Sequence, residues 1–333
     1  MTRALALLAL LAAVAGSSAA TASAPVPQIA SIALDGTDVR VLSGSEPATT
    51  PRVARDGRIL HYRGPQAPYA LWVMNGDGTD ARPLGGLVAG DGYGPITWSP
   101  GGASFATTAW DPSPCSYDSR NCAIAEIHVH DGRTGEVRSR LRSRYRGAYD
   151  YSWSSDGRRI AALGELDQDL SAYAVEVANA NGTGRRVLVR SRFPNWFQEI
   201  AWSPRGNRIA YVQRGWIWLV RPAGGKPERV TRGRGLLWSP RGQLLYSVGG
   251  KRFLLDPATK RSRLLFLGPG EAAWSPDGKL LVYREGLAEG VTWLTLVRAS
   301  DGRSLRTLKI PGDVTAFAFA PGGSRLVYGV RFD

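Results

Sequence analysis

Apolar and polar residues alternate in short runs along most of the chain, as in Arg208-Ile209-Ala210-Tyr211-Val212 and Lys279-Leu280-Leu281-Val282-Tyr283. A period of two places successive side chains on opposite faces of a strand. Each run follows a segment of the type W-S-P-D-G. The copies are Val53-Ala54-Arg55-Asp56-Gly57, Trp98-Ser99-Pro100-Gly101-Gly102, Trp153-Ser154-Ser155-Asp156-Gly157, Trp202-Ser203-Pro204-Arg205-Gly206, Trp238-Ser239-Pro240-Arg241-Gly242, Trp274-Ser275-Pro276-Asp277-Gly278 and Phe319-Ala320-Pro321-Gly322-Gly323. The aromatic ends one strand. Ser at i, Pro at i+1 and Gly at i+3 then suit a type I turn, which makes the pair a hairpin. A third strand follows, such as Leu71-Trp72-Val73-Met74 or Ile217-Trp218-Leu219-Val220, and a short fourth one, such as Arg229-Val230 or Arg306-Thr307-Leu308.

Four antiparallel strands per repeat, at spacings of 45, 55, 49, 36, 36 and 45 residues, predict the blades of a β-propeller. Ser31 to Leu42 match the second half of a repeat with no first half, and Phe317 to Phe332 match a first half with no second. Joined, they make one blade shared by the two ends, which removes the open edge of a meander. The expectation is therefore an all-β, seven-bladed propeller of four-stranded antiparallel blades. Six blades is the alternative, because the Val53 copy lacks both Trp and Pro.

Ahead of the repeats, Arg3 and the apolar run Ala4 to Gly16, followed by small residues, predict a signal peptide over residues 1–22 and a single propeller domain over 23–333. The expected location is outside the cytoplasm: periplasmic, cell-surface or secreted. No later apolar run approaches membrane-spanning length. The 40 Gly and 21 Pro fit a turn-rich β chain. Cys115 and Cys122 are expected to form a disulfide that pins one loop in an oxidising compartment. With only His61, His128 and His130 besides, no metal site and no cofactor are expected.

The formal charge of +14 comes from 42 Lys and Arg against 28 Asp and Glu, spread through the repeats. Export argues against nucleic acid as partner and leaves anionic envelope polymers or headgroups. Arg138, Arg140, Arg142, Arg144 and Arg146 alternate with other residues on the predicted outer strand of blade two. Extended, they would set cations about 6.8 Å apart for a linear polyanion, or would protect a sheet edge.

Ala273 to Tyr283 (AWSPDGKLLVY) and Ala201 to Tyr211 (AWSPRGNRIAY) resemble the WD-like repeats of TolB-like propellers, over nearly the whole mature chain. The resemblance implies a propeller and, for TolB itself, protein partners in the cell envelope. TolB carries an α/β domain before its propeller, and other relatives carry a hydrolase domain after it. Neither is expected in this chain. The repeat residues build blades in all of these proteins, so no active site carries over.

The D-G turns share one end of the blades, are short and alike, and suit structure. The connections at the other end vary: blades four and five turn back at Val212 to Trp216 and Ser247 to Gly250, whereas blades one to three carry Arg63 to Tyr69, Trp110 to Cys122, Glu165 to Asp169 and the entry segments with Asp91 and Tyr93, Tyr145 to Tyr151 and Arg192 to Glu199. Variable connections on a rigid scaffold are where recognition is placed. The expected contacts are Trp110, Tyr117, Asp118, Arg120, Asp167, Asp169, Trp196 and Glu199, a set that suits a protein, peptide or glycan of the envelope. There is no G-x-S-x-G, H-E-x-x-H, C-x-x-C or phosphate loop. The expected function is therefore an exported, monomeric, non-catalytic binding or scaffold propeller. The alternative is an extracytoplasmic hydrolase or lyase acting on a glycan through loop carboxylates such as Asp167 and Asp169.

Overall fold

The computed structural model describes residues 26–64, 69–89, 96–110, 125–141, 148–165, 172–268 and 270–332. Seven four-stranded antiparallel sheets fill them, each a blade, and the fold is a seven-bladed β-propeller. Among the described residues no helix is long and apolar enough to cross a membrane. Blades one, six and seven lie in one compact unit, residues 1–91 with 268–333, and blades two to five in another, residues 92–267.

Blade seven is the shared one. Its strands Asp313–Phe319 and Arg325–Arg331 are completed by Gln28–Ala33, which pairs with the latter from Gln28 opposite Val330 to Ala33 opposite Arg325. Arg40–Val41 forms the outer strand. All seven repeat turns close in the predicted way, with the glycine N–H donating three residues back, from Gly157 to the Ser154 carbonyl at 2.9 Å and from Gly57 to the Ala54 carbonyl at 3.0 Å. The Val53 copy therefore builds a full blade without its Trp and Pro.

Serine is favoured in these turns because its hydroxyl is buried and fully used. Ser154 Oγ donates to Asp156 at 2.5 Å and accepts from the Arg159 N–H at 2.9 Å, and Ser275 repeats the arrangement with Asp277 and the Leu280 N–H. The turn glycine also packs against the preceding blade: a Cβ on Gly206 (φ +73°) would lie 2.9 Å from Ser155 Oγ.

Alternation survives in the second strands, but both faces are buried. In blade four, Ile209 and Tyr211 pack with Leu163, Tyr173 and Val175 of blade three, while Ala210 and Val212 pack with Leu244, Tyr246 and Leu255 of blade five. All four blade-four residues are at most 1% exposed. A blade between two neighbours has no wet face, so its middle strands are apolar on both sides. The outer strands are polar, as in Val137–Leu141 and Glu228–Arg232.

Two histidines of the second and third strands are buried. Burial, with Arg63 nearby, drives the pKa of His61 down to about 4. Burial likewise drives His130 to about 4, against a hydrogen bond with the Gly135 carbonyl. Neutral His130 donates from Nδ1 to that carbonyl at 3.0 Å, and its Nε2 accepts from Thr107 Oγ1 at 2.9 Å. Phe105 stacks on its ring.

A folded-state pKa below the ordinary 6.5 means that the unfolded chain takes up a proton first as pH falls. Stability is thus present above pH 6.5 and is lost on the way to pH 4, by about 3 kcal/mol for each histidine. Urea unfolding of His61→Phe across this range should show an acid loss smaller by that amount than the parent's; parallel curves would contradict it. Ser154→Ala should cost about 1 kcal/mol at neutral pH, since it removes the acceptor of the part-buried Arg159 N–H.

Candidate functional site

The end of the blades opposite the repeat turns is best defined where blade three leads into blade four. The outer strand of blade three, Arg186–Arg192, and the first strand of blade four, Phe197–Trp202, are joined by Phe193-Pro194-Asn195-Trp196. Phe193 is 65% exposed and Trp196 47% exposed, with ring centroids 6.1 Å apart and planes tilted by 31°. Next to them, Phe197 points inward and packs edge-on against Tyr211.

Gln213 holds this connection from beneath. Its Nε2 donates to Ser191 Oγ at 2.7 Å and to the Asn195 carbonyl at 2.9 Å, while Ser191 Oγ donates to the same carbonyl. Gln213 ends the second strand of blade four, Ile209–Gln213. The chain reverses through Arg214 (φ 53°) and Gly215 (φ 71°) into Trp216–Val220. Two successive positive φ values make this a two-residue type I′ hairpin. Blade five turns in the same way at Gly249 and Gly250. Backbone bonding joins a third segment: the Gly233 N–H donates to the Gly215 carbonyl at 3.0 Å.

Of the predicted contacts, Trp196 stands exposed at this corner. Glu199 does not: its carboxylate accepts hydrogen bonds from the Gly235 and Leu236 N–H groups of blade five, at 2.7–3.0 Å. It fastens two blades rather than facing a partner. Asp150, on the first strand of blade three, does the same one blade earlier, accepting from the Ile200 N–H at 3.0 Å. Burial pushes the Asp150 carboxyl up to about 6, with the Glu199 charge adding to the effect, against hydrogen bonds from the Ile200 and Tyr151 N–H groups. Buried Arg252 offsets part of this negative charge through its attraction to Glu199.

Trp110 ends the second strand of blade two, Ser104–Trp110, and its side chain lies outside the described residues. Tyr117, Asp118, Arg120, Asp167, Asp169, Cys115 and Cys122 also lie outside them. Of the arginine stretch, Arg138 and Arg140 are exposed on the outer strand Val137–Leu141, and Arg142, Arg144 and Arg146 lie outside the described residues. The even alternation is broken at Arg138, which sits at a register shift and pairs with Asp131. Glu126 pairs with His128 at 3.2 Å. Among the described residues no three His, Cys, Asp or Glu side chains gather to hold a metal.

The expected entry segment Arg192 to Glu199 contains Phe193, which completes the aromatic pair but is not among the expected contacts, and the cations Arg214, Arg232 and Arg234 lie outside the expected recognition surface altogether. The signal was present: from Arg185 to Trp238 the chain carries only two acids, Glu199 and Glu228.

Asp150 yields a pH test. Its folded-state pKa lies above the ordinary 3.8, so its contribution to stability is full below about pH 4 and is lost as pH rises through 6, by about 3 kcal/mol. Asp150→Asn does not titrate. Its stability relative to the parent should rise by about that amount between pH 4 and 7, and a constant difference would contradict the burial argument.

No family model matches the chain. A solved oligogalacturonate lyase bound to manganese superposes with a TM-score of 0.65 and 15% identity, over 92% of this chain and 97% of that one. TolB from Acinetobacter baumannii gives a TM-score of 0.52 and 18% identity, over 83% of this chain and 64% of that one. In sequence, dipeptidyl peptidase 4 of Felis catus is 24% identical over 137 residues, 41% of this chain; the match spans about a sixth of that protein's length (16%). At these identities the likeness is one of fold, the seven-bladed β-propeller seen here, and TolB and the lyase are similar to this chain in that fold.

Proposed function

We propose that this chain is an exported, non-catalytic binding or scaffold propeller that recognises a protein, peptide or glycan through the connections opposite its repeat turns. The observation that carries the reading is the exposed Phe193–Trp196 pair, fixed by the hydrogen bonds of Gln213 and Ser191. Large aromatic rings held in place on a surface supply contact area at little entropic cost when a partner covers them. At the repeat turns of blades three and six the serines and aspartates are spent on one another and on the turn backbone. Trp110, Tyr117, Asp118, Arg120, Asp167 and Asp169 extend the proposed surface into blades two and three. Export rests on residues 1–22, and the envelope is the proposed source of the partner.

A second reading, a hydrolase or lyase acting on a glycan, is supported by the fold shared with an oligogalacturonate lyase. The two separate in one experiment. Residues 23–333 are immobilised and exposed to envelope extract at physiological salt, beside a variant with residues 111–122 replaced by Gly-Gly and beside Trp196→Ala. Oligogalacturonate with manganese is incubated in parallel. The binding reading expects a partner retained by the parent and weakened in at least one variant, with the oligosaccharide left intact. Shortened oligosaccharide would favour the lyase, and equal retention by all three chains would remove the loops from the site.

A further inference from the structure

The corner between blades three and four has a pronounced charge imbalance. Arg192, Arg214, Arg232 and Arg234 are all exposed there, and none has a carboxylate partner among the described residues. Chain and hydrogen-bond continuity bring them together. Arg192 precedes Phe193, Arg214 follows the Gln213 that binds Ser191 and Asn195, and Arg232 and Arg234 flank the Gly233 that bonds to Gly215. The guanidinium of Arg232 lies 4.9 Å from the ring centre of Trp216, and that of Arg229 lies 4.5 Å from it. Neither acid of this stretch pairs with these arginines: Glu199 accepts from the Gly235 and Leu236 amides, and Glu228 pairs with Lys260 at 3.1 Å.

We propose that this corner docks an acidic polypeptide segment with apolar side chains beside its carboxylates. The proposal rests on the binding reading above and narrows its partner. Four exposed guanidinium groups with no carboxylate partner among the described residues favour an acidic partner, each guanidinium fork matching a carboxylate in two hydrogen bonds. The aromatic pair selects among anions. Phe193 and Trp196 are exposed, 65% and 47%, whereas small ligands are recognised by being enclosed in a concave site. Projecting Trp and Arg side chains are the residues that a protein partner surrounds and dries. A polypeptide brings carboxylates for the arginines and aliphatic side chains for the outward ring edges in one strand.

The test is fluorescence anisotropy with a short labelled peptide of alternating glutamate and leucine. Its comparators are an alternating lysine–leucine peptide, an oligogalacturonate and a single-stranded oligonucleotide of equal charge. The glutamate peptide should bind the mature chain, and more weakly as salt rises, while the lysine peptide should not bind. Trp196→Ala and the double variant Arg214→Asn/Arg234→Gln should each weaken binding by about tenfold or more. Asn tolerates the positive φ at 214, so that change removes the cation and keeps the turn. Arg138→Gln/Arg140→Gln, on the outer strand of blade two, should change nothing, and unaltered melting temperatures show that the variants are folded.

Absence of peptide binding, tighter binding of the oligosaccharide or oligonucleotide, or binding indifferent to the corner variants overturns the proposal. If an envelope partner is nonetheless captured by the parent, and equally by the corner variants, the binding propeller stands and only this corner is wrong. If no partner is captured under any condition, the binding reading itself fails.

Discussion

A four-stranded blade with two apolar faces cannot bury either one alone, so within a compact unit a blade depends on packing, and in places hydrogen bonds, supplied by its neighbour. In blades three to five the dependence is explicit. Asp150 and Ser152 of blade three accept the N–H groups of Ile200 and Trp202 in blade four, and Glu199 of blade four accepts those of Gly235 and Leu236 in blade five. Behind these inner strands, Ile209 and Tyr211 face one neighbour while Ala210 and Val212 face the other. The hydrogen bonds give direction and the apolar layers give most of the stabilisation, because area removed from water outweighs the modest net worth of each bond.

This division of labour leaves the two ends of a blade unequal. Where the repeat turns carry them, serine accepts the turn's N–H, aspartate orders the turn, and a glycine such as Gly206 lets the preceding blade approach. At the opposite end the strands need only be joined. A two-residue hairpin suffices at Arg214-Gly215 and at Gly249-Gly250. Freedom from structural duty allows Phe193 and Trp196 to be exposed and leaves Arg192, Arg214, Arg232 and Arg234 exposed in the same part of the chain, without a carboxylate partner among the described residues.

The fold was legible because the turn chemistry repeats: W-S-P-D-G names a hairpin seven times, and the half-repeats at Ser31 and Phe317 foretell the pairing of Gln28–Ala33 with Arg325–Arg331. Even Val53-Ala54-Arg55-Asp56-Gly57, without Trp or Pro, kept the glycine that closes the turn. The site was less legible. Trp196, chosen for its type and position, is exposed, whereas Glu199, three residues later and by sequence a polar loop residue, accepts hydrogen bonds from blade five. Its partners lie 36 and 37 residues away, a contact that no local pattern announces. The arginine corner was obscured for the opposite reason: its members are scattered from Arg192 to Arg234, and only hydrogen bonds through Gln213 and Gly233 make them one surface. The alternating stretch from Arg138 drew attention by spacing alone, yet Arg138 sits at a register shift and is already paired with Asp131.

The measurement that bears most directly on recognition at one end of the blades is photocrosslinking in envelope extract. A photoreactive phenylalanine derivative replaces Trp196 in one chain and Asp277, in a repeat turn, in another. A discrete crosslinked partner at position 196, acidic when identified by mass spectrometry and absent at position 277, is the predicted result. Equal crosslinking at both positions, or at 277 alone, would contradict it.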